Sequence, residues 1–354
     1  MDEKHLSLIQ HYQPEQTRKE ELNMEKYLQE YEAKTALVTG GTGCIGSNLT
    51  RALLKANAKR IIVIDDLSSS KKWNIPSDPR ISLLKGSILD ENVLAKAFSQ
   101  KPDYVFHLAA LFANQNSIDH PETDLMVNGL GTLKILQSSY SSKVEKFVFA
   151  SSGCSVYGSQ APLPLKEDFV SLHLDTPYQI TKLLGELYCN FFTDFYSLPV
   201  VKARFFNVYG PGEIPGRYRN VIPNFIYWAL HRQPLSITGT GEETRDFTFV
   251  EDIVDGVLRA GAVPKAVGEA FNLASGKETK IIDLAKTINE LTGNKGIKFV
   301  EKRKWDKIVR RRASIEKARS LLGYEPKTRI RQGIKKTIDW FLQNREKIET
   351  SATF

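Results

Sequence analysis

The sequence contains no run that approaches the roughly 20 apolar residues of a membrane-spanning helix, and residues 1–34 contain no apolar core of signal-peptide length. We therefore expect no membrane segment and no secretion signal. Cysteine is scarce, because Cys44, Cys154 and Cys189 are the only three, and their spacing fits neither a disulfide framework nor a metal site. These absences predict a cytoplasmic protein that binds no metal.

The net charge is +8, and much of the basic excess lies between residues 295 and 336. This stretch contains Lys302, Arg303, Lys304, Lys307, Arg310, Arg311 and Arg312, with Trp305 as its aromatic neighbour. Three interpretations are open: a solvated basic face, a pocket wall that meets a diphosphate, or a nucleic-acid surface. Because the stretch has few interleaved aromatic residues, we expect no nucleic-acid partner.

From residue 34 onward, short apolar runs alternate with helical segments. Strands are predicted at residues 35–39, 60–65, 81–84, 104–108, 146–150 and 200–205, and helices at 45–56, 92–98, 125–138 and 178–196. Runs such as IIVID and YVFHLAA are apolar almost throughout, as parallel strands covered by helices on both faces require. The pattern predicts an α/β fold with a doubly wound parallel (Rossmann) sheet.

Three regions follow from this pattern. Residues 1–33 are predicted to be a charged N-terminal appendage, with a helix from about residue 16. Residues 34–206 form the predicted dinucleotide-binding domain. Residues 207–345, richer in Gly and Pro, are predicted to form mainly a smaller substrate-binding lobe that is partly interleaved with the first domain.

A glycine-rich turn follows the first predicted strand and opens directly into a helix. The turn contains Gly40, Gly43 and Gly46, spaced as in a dinucleotide-binding motif. Such glycines let a pyrophosphate approach the backbone N–H groups at the start of the helix. The second strand ends at Asp65, whose carboxylate would accept hydrogen bonds from the adenine ribose and repel a 2′-phosphate. We therefore predict NAD rather than NADP as cofactor.

Tyr178 and Lys182 lie four residues apart in a predicted helix, which puts both side chains on one face. A phenol beside an ammonium group is suited to take a proton from a sugar hydroxyl, because the Lys cation and the positive nicotinamide ring both favour the phenolate and should lower its pKa. Ser152, some 25 residues earlier at a strand end, would orient the same hydroxyl. We predict these three residues to be catalytic.

A series of ordered motifs spans roughly residues 34 to 345: TGGTGCIG, VIDDLS, HLAA, NGLGT, ASSGCSVYG, YQITK, RFFNVYGPG and RDFTFVEDI. With these motifs the chain resembles the nucleotide-sugar epimerase/dehydratase group of the extended short-chain dehydrogenases/reductases, and its pattern is most similar to that of UDP-sugar 4-epimerases. The resemblance implies a set of residues that contact or support NAD: Gly40, Gly43, Cys44, Ile45, Gly46, Asp65, Ile88, Leu108, Ala109, Ala110, Asn128, Tyr178 and Lys182.

The same resemblance implies a nucleotide-diphosphate sugar as substrate. Asn207, Asn220, Val221, Arg245 and Arg303 match positions that hold the nucleotide and its diphosphate, and guanidinium groups suit phosphate oxygens. Relatives pair through the helices that correspond to residues 125–138 and 178–196, so we expect a homodimer.

The segment ASSGCSVYG leaves two assignments open, because it is one residue longer than the usual epimerase pattern. Counting back from Val156 puts Gly153 at the catalytic position, whereas counting forward from the strand puts Ser152 there, which we prefer. Cys154 is either a buried filler or an additional acid/base group. In addition, Phe112 stands where epimerases acting on UDP-galactose often have Lys, which hints at a different sugar.

The reaction also has alternatives. Dehydratases of the group place an Asp-Glu pair, and decarboxylases a Glu, in the segment where this chain has Gly153, Cys154 and Ser155. The missing carboxylates favour epimerisation, with C4 inverted through a transient 4-keto sugar. A 4,6-dehydratase or decarboxylase is the alternative, and a non-catalytic NAD-binding regulator is a third reading that the intact Ser, Tyr and Lys set argues against.

Overall fold

The structure, a computed structural model, describes residues 26–354. Seven strands form the central sheet: β1 (Thr35–Thr39), β2 (Arg60–Asp65), β3 (Ile81–Lys85), β4 (Tyr104–His107), β5 (Lys146–Ser152), β6 (Val200–Phe205) and β11 (Ala270–Leu273). All neighbouring pairs are parallel, in the order β11-β6-β5-β4-β1-β2-β3. The predicted doubly wound parallel sheet is confirmed.

The chain reverses its direction of progress across the sheet between β1 and β4, which pair directly from Ala36 with Tyr104 to Thr39 with His107. In open α/β sheets, ligands bind beyond the carboxyl ends of the strands at such a switch point. Asp65 and Ser152, the last residues of β2 and β5, lie at the same edge of the sheet.

Helices cover both faces of the sheet and build the rest of the chain. They are α1 (Cys44–Lys55), α2 (Glu91–Phe98), α3 (Asn114–Asp119), α4 (Pro121–Asp124), α5 (Thr132–Ser141), α6 (Pro177–Tyr196), α7 (Val221–Leu230), α8 (Val250–Ala262), α9 (Ile281–Thr292), α10 (Glu316–Leu322), α11 (Ile330–Gln343) and α12 (Arg345–Glu349), with a π-helix at Leu125–Gly131 between α4 and α5. Two buried clusters result. The first, larger cluster includes Val38 and Val148 and the second Leu37 and Phe147, because successive strand residues point to opposite faces.

Short strand pairs organise the region after residue 207. They are β7 (Val208–Tyr209) with β10 (Thr248–Phe249), β8 (Leu235–Thr238) with β13 (Ile297–Val300), and β9 (Thr244–Arg245) with β12 (Thr279–Lys280). From the same part of the chain, α8 packs against β5 and β6, and β11 extends the main sheet. The boundary at residue 206/207 stays a prediction.

The predicted N-terminal helix lies partly outside the described residues, since it was expected from about residue 16. Within the described part, a 3-10 turn covers Gln29–Tyr31. The Tyr31 hydroxyl donates to the Leu258 carbonyl from a fully buried position, and the Tyr27 hydroxyl donates to Asp255 at 2.7 Å. Residues 27–31 therefore pack against α8. In residues 26–354 no helix is long and apolar enough to cross a membrane.

Candidate active site

The glycine-rich turn joins β1 to α1 through backbone geometry that side chains would block. Gly40 has a φ of +68°, and a Cβ there would lie 2.8 Å from the Ala109 nitrogen. At Gly46 a Cβ would lie 2.3 Å from the Gly40 carbonyl oxygen. Helix α1 begins at Cys44, and no side chain caps it. Its first N–H groups therefore donate no hydrogen bond to a capping side chain. This bare cradle at a helix N-terminus fits the pyrophosphate of NAD.

Asp65 accepts three hydrogen bonds, one from the same turn and two from the segment that follows β2. One carboxylate oxygen accepts from the Thr42 N–H at 2.9 Å, and the other accepts from the Leu67 N–H at 2.9 Å and the Ser70 hydroxyl at 3.3 Å. A carboxylate has about four lone-pair sites, so acceptor capacity remains for a ribose hydroxyl. Its contact with ribose stays a prediction.

The end of β4 is held by a buried network that the sequence did not reveal. The Ala109 N–H donates to the Thr39 hydroxyl oxygen at 3.1 Å, and His107 bridges Thr39 and Thr132 at 2.7 and 3.0 Å. Burial lowers the pKa of His107 to about 3, so this imidazole is neutral. The network fixes Leu108, Ala109 and Ala110 beside Gly40, where the resemblance predicts NAD contacts.

The side chain of Asn128, on the π-helix, is hydrogen-bonded to the backbone of Leu111, the residue after Ala110. Its side chain accepts from the Leu111 N–H at 2.8 Å and donates to the Leu111 carbonyl at 3.2 Å. It also donates to Asp124 at 2.7 Å, and Asp124 accepts from the Thr181 hydroxyl at 2.7 Å. Asp124 is fully buried and was missed from the sequence. Nearby, Ile88 is buried at Gly131, where a Cβ would lie 2.5 Å from its side chain.

Ser152, Tyr178 and Lys182 come together between the end of β5 and the start of α6. Ser152 lies close enough to Tyr178 to lower the pKa of its phenol, and the Lys182 ammonium donates to the Ala150 carbonyl at 2.8 Å. That ammonium lies 5.7 Å from the centre of the Tyr178 ring. The three side chains are almost entirely buried. Their catalytic roles stay predictions, but the geometry required for them is present.

The position after Ser152 has no room for a side chain. A Cβ at Gly153 would lie 1.9 Å from the ring of Phe206, whereas Ser152 is the last residue of β5 and contacts Tyr178. This arrangement supports counting from the strand, which assigns the catalytic position to Ser152. The Phe112 ring packs edge-on against Tyr178, with the ring centres 6.1 Å apart.

The electrostatics of Tyr178 differ from the expectation of a lowered pKa. Burial raises the pKa of Tyr178 well above its ordinary value, and Asp124 and Cys154 raise it further, whereas the hydrogen bond from Ser152 lowers it. Burial also lowers the pKa of Lys182 to about 8 against the opposing charge of Asp124. The expected lowering counted the Lys182 ammonium and the positive nicotinamide ring of bound NAD, whereas in the protein alone the exclusion of water from the phenolate has the largest effect on this pKa.

Two of the predicted substrate residues, Asn207 and Asn220, have polar partners within the protein. Asn207 accepts a hydrogen bond from the Cys154 thiol at 3.3 Å. Asn220 stands just before Val221, the first residue of α7, and donates to Glu213 at 3.1 Å. Burial raises the pKa of Glu213 to about 7, and this acid was also missed from the sequence.

The two predicted diphosphate arginines are linked by one short turn. One nitrogen of the Arg245 guanidinium, Nη2, donates to both carboxylate oxygens of Asp306 at 3.0 and 3.1 Å, and the Asp306 N–H donates to the Arg303 carbonyl at 3.1 Å. Arg303 itself is exposed, with its guanidinium 5.8 Å from the centre of the Trp305 ring. Trp305 donates to Gln115 at 2.8 Å, which ties this turn to helix α3, whose Ser117 hydroxyl accepts from the Tyr178 N–H.

Comparison with known proteins connects this geometry to a family. The model of the NAD dependent epimerase/dehydratase family matches residues 36–274. A UDP-glucose 4-epimerase from Mycolicibacterium smegmatis is 34% identical over 308 residues, which cover 86% of this chain and 97% of the relative. Two further relatives are named as decarboxylases of UDP-linked uronic acids.

Solved structures give the same result. An epimerase from the methanogen Methanothermobacter thermautotrophicus is 55% identical, with a TM-score of 0.92, covering 94% of this chain and 98% of that one. The enzyme WbmF of Bordetella bronchiseptica, solved with NAD+ and UDP, is 39% identical, with a TM-score of 0.81, covering 91% of this chain and 96% of that one.

Proposed function

The chain belongs to the NAD-dependent epimerase/dehydratase family, and on that basis we propose that it inverts C4 of a nucleotide-sugar through a transient 4-keto sugar. The observation that carries this proposal is the assembled Ser152, Tyr178 and Lys182 set beside a segment, Gly153 to Ser155, that has no carboxylate. Elimination of water needs a second acid/base pair. Asp124, the carboxyl group that bears on Tyr178, is fully buried and engaged by Asn128 and Thr181.

Each catalytic residue has one role in this proposal. Tyr178 takes the proton from the C4 hydroxyl and returns it after the sugar has turned over in the pocket. Ser152 hydrogen-bonds the same hydroxyl and orients it toward Tyr178. NAD, when bound, supplies the acceptor that takes the C4 hydride and gives it back, and a positive ring that favours the phenolate. Lys182 adds a second positive charge on the same side.

The substrate is proposed to be a UDP-sugar. Arg245 and Arg303 would bind its diphosphate, and Asn207, Asn220 and Val221 would line the nucleotide end. The names of the epimerase relatives and the UDP bound to WbmF support this choice of nucleotide. The ion pair between Arg245 and Asp306 keeps the guanidinium in position before the phosphate oxygens arrive.

We further propose that the enzyme is a homodimer. Ile180, Leu187, Phe191 and Phe195 form a stripe along α6, at intervals of seven, four and four residues, and all are exposed. The π-helix packs beside α6 and adds the exposed side chains of Leu125 and Met126. A continuous apolar surface of this kind is typical of a protein interface.

Light scattering after size exclusion tests the dimer. The wild type should have twice the chain mass, and Phe195→Glu, a charge in the apolar stripe, should yield monomers. Leu342→Glu is the matched control, because Leu342 is an exposed leucine on α11. A monomeric wild type would contradict the proposal.

A cytoplasmic location is proposed from the cysteines. Cys44, Cys154 and Cys189 are all unpaired thiols, which fits a reducing compartment. Fractionation of the native cells with an antibody to the protein tests this location.

The reaction is tested by offering the purified protein a panel of UDP-sugars and following the C4 proton by NMR. Substrate and C4 epimer should approach one ratio from either side, without added reductant and without net NADH. Deuterium placed at C4 should stay there, because hydride leaves and returns within one site. A 4-keto-6-deoxy product, or a pentose with carbon dioxide, would instead identify a dehydratase or decarboxylase. No turnover of any sugar would favour the regulator.

A further inference from the structure

Arg311 is a buried cation that forms no ion pair with an acidic side chain in the described part of the chain. Its side chain is 2% exposed and lies between β13 and α10. The guanidinium donates to the carbonyl oxygens of Gly158 at 3.1 Å and Cys154 at 3.0 Å. Within residues 26–354 it forms no ion pair, whereas the adjacent Arg310 is exposed and pairs with Glu278 at 2.6 Å. The three consecutive arginines therefore do not form one solvated basic face.

Burying a guanidinium without an opposing charge is costly. Two carbonyl oxygens satisfy part of its hydrogen-bonding capacity but leave its charge uncompensated, and a guanidinium has five N–H donors in all. Burial, and to a lesser extent the positive Arg245, hold the pKa of Arg311 below its usual value. Asp306 raises the pKa of Arg311, but its carboxylate already forms an ion pair with Arg245. The group of Arg245, Asp306 and Arg311 thus has one positive charge in excess.

This excess charge lies between the reacting residues and the proposed diphosphate site. Cys154 and Gly158, which hold Arg311, belong to the loop that follows Ser152. The Cys154 thiol influences Tyr178 and donates to Asn207. On its other side, Arg311 is close enough to Arg245 to feel its charge. A sugar whose diphosphate binds Arg245 and whose C4 reaches Tyr178 would therefore lie near Arg311.

We propose that Arg311 binds a carboxylate on the sugar ring, so that the substrate is a nucleotide-linked uronic acid. A planar guanidinium matches a carboxylate in shape and charge. Arg311 is assigned to the sugar rather than the diphosphate because its hydrogen bonds are to the loop that carries Ser152, whereas Arg245 and Arg303 already serve the diphosphate. This inference rests on the proposed function and narrows its substrate class.

Calorimetric titration of the full-length protein with UDP-glucuronate and UDP-glucose tests the proposal. These two ligands differ in the carboxylate at C5. The wild type should bind the acidic sugar at least about tenfold more tightly, as expected for a charge-assisted hydrogen bond. In Arg311→Met this ratio of affinities should fall toward one. Arg310→Met is the matched control and should keep the wild-type ratio.

Two results would overturn the assignment. Equal affinities of the wild type for both sugars would exclude a carboxylate site and need no variant. Equal weakening of both sugars in Arg311→Met would assign the residue to the diphosphate or to the fold. If Arg311→Met does not fold, Arg311→Lys, which keeps the charge but loses the planar geometry, should retain only part of the preference, and an unchanged ratio would overturn the assignment.

The failure of this inference is distinguishable from that of the proposed reaction. Inversion of C4 in UDP-glucose without any preference for the acidic sugar would refute the role of Arg311 and leave the epimerase standing. Preferential binding of UDP-glucuronate without inversion of either sugar would support Arg311 and refute the proposed reaction.

Discussion

Ser152, the last residue of β5, lies close enough to Tyr178, the second residue of α6, to lower the pKa of its phenol. Each element is fixed independently, β5 by its pairing with β4 and β6 and α6 by the Thr176 cap. The phenol of Tyr178 therefore lies at the carboxyl edge of the sheet, where β5 ends. The first two predictions follow from this contact.

Tyr178→Phe removes only the phenolic oxygen. We expect turnover to fall by orders of magnitude, because the proposed base is lost, while NAD content and melting temperature stay close to those of the wild type. Steady-state kinetics, cofactor extraction and thermal unfolding measure the three quantities. Near wild-type turnover would mean that another group takes the proton.

Ser152→Ala should lower turnover strongly, whereas Gly153→Ala should act mainly on stability, because its methyl group meets the Phe206 ring and overpacking costs about 1–3 kcal/mol. Ser151→Ala is the matched control. Its hydroxyl donates to the buried Glu186, so its loss should reduce the free energy of unfolding without abolishing turnover. Catalysis that survives in Ser152→Ala but not in a folded Gly153→Ala would favour the count from Val156.

Arg245→Ala and Arg303→Ala should each weaken binding of the nucleotide-sugar by roughly 1.5–3 kcal/mol, as expected for a lost charge-assisted bond, with a smaller effect on NAD. Titration of the sugar and of NAD separates the two effects. Arg331→Ala is the control, because its exposed side chain pairs with Glu290. Unchanged sugar affinity in both variants would move the diphosphate site elsewhere.

Asp65→Asn should narrow the preference for NAD over NADP, since it removes the charge that repels a 2′-phosphate. Asn retains one acceptor for the Thr42 and Leu67 N–H groups, so the turn keeps part of its support. Asp66→Asn, an exposed neighbour that accepts from Ser68, should leave the preference unchanged. Equal affinity of the wild type for the two cofactors would refute the ribose assignment.

The main sheet was predictable because its strands are buried on both faces and therefore read as continuous apolar runs. The predicted strands at 35–39, 60–65 and 200–205 agree with β1, β2 and β6 at both ends. The family and its cofactor were predictable for a different reason, since the glycine turn and the Tyr178/Lys182 spacing are local patterns. The seventh strand, β11, was missed because four residues outside the regular alternation give no periodic signal.

Groups whose role depends on distant partners were not predictable. Asp124 gains its place from Asn128 and Thr181, and the burial of Arg311 depends on carbonyl groups more than 150 residues away. The effect of burial on the pKa of Tyr178 was not predictable for the same reason. A sequence shows which charges are near along a helix, but not how far the fold excludes water.

The burial of His107 should make the stability of the protein depend on pH. Thr132 donates its hydroxyl proton to the Asn128 carbonyl at 2.6 Å, so its oxygen must accept from His107 Nε2, and Nδ1 is left to accept from Thr39. This arrangement requires a neutral ring, in agreement with the lowered pKa of about 3. In the unfolded chain this histidine has an ordinary pKa near 6.5. Between about pH 3 and pH 6.5 the unfolded chain therefore binds a proton that the folded protein does not bind. Stability from this group is therefore complete above about pH 6.5 and is lost as the pH falls, by about 2 kcal/mol at pH 5.

A glutamine side chain cannot titrate, so in urea unfolding the stability advantage of the wild type over His107→Gln should shrink by that amount between pH 7.5 and pH 5. The other titrating groups are common to both proteins and cancel in the difference. Parallel pH curves for the two proteins would contradict this prediction, because they would show that His107 binds a proton as readily in the folded state as in the unfolded chain.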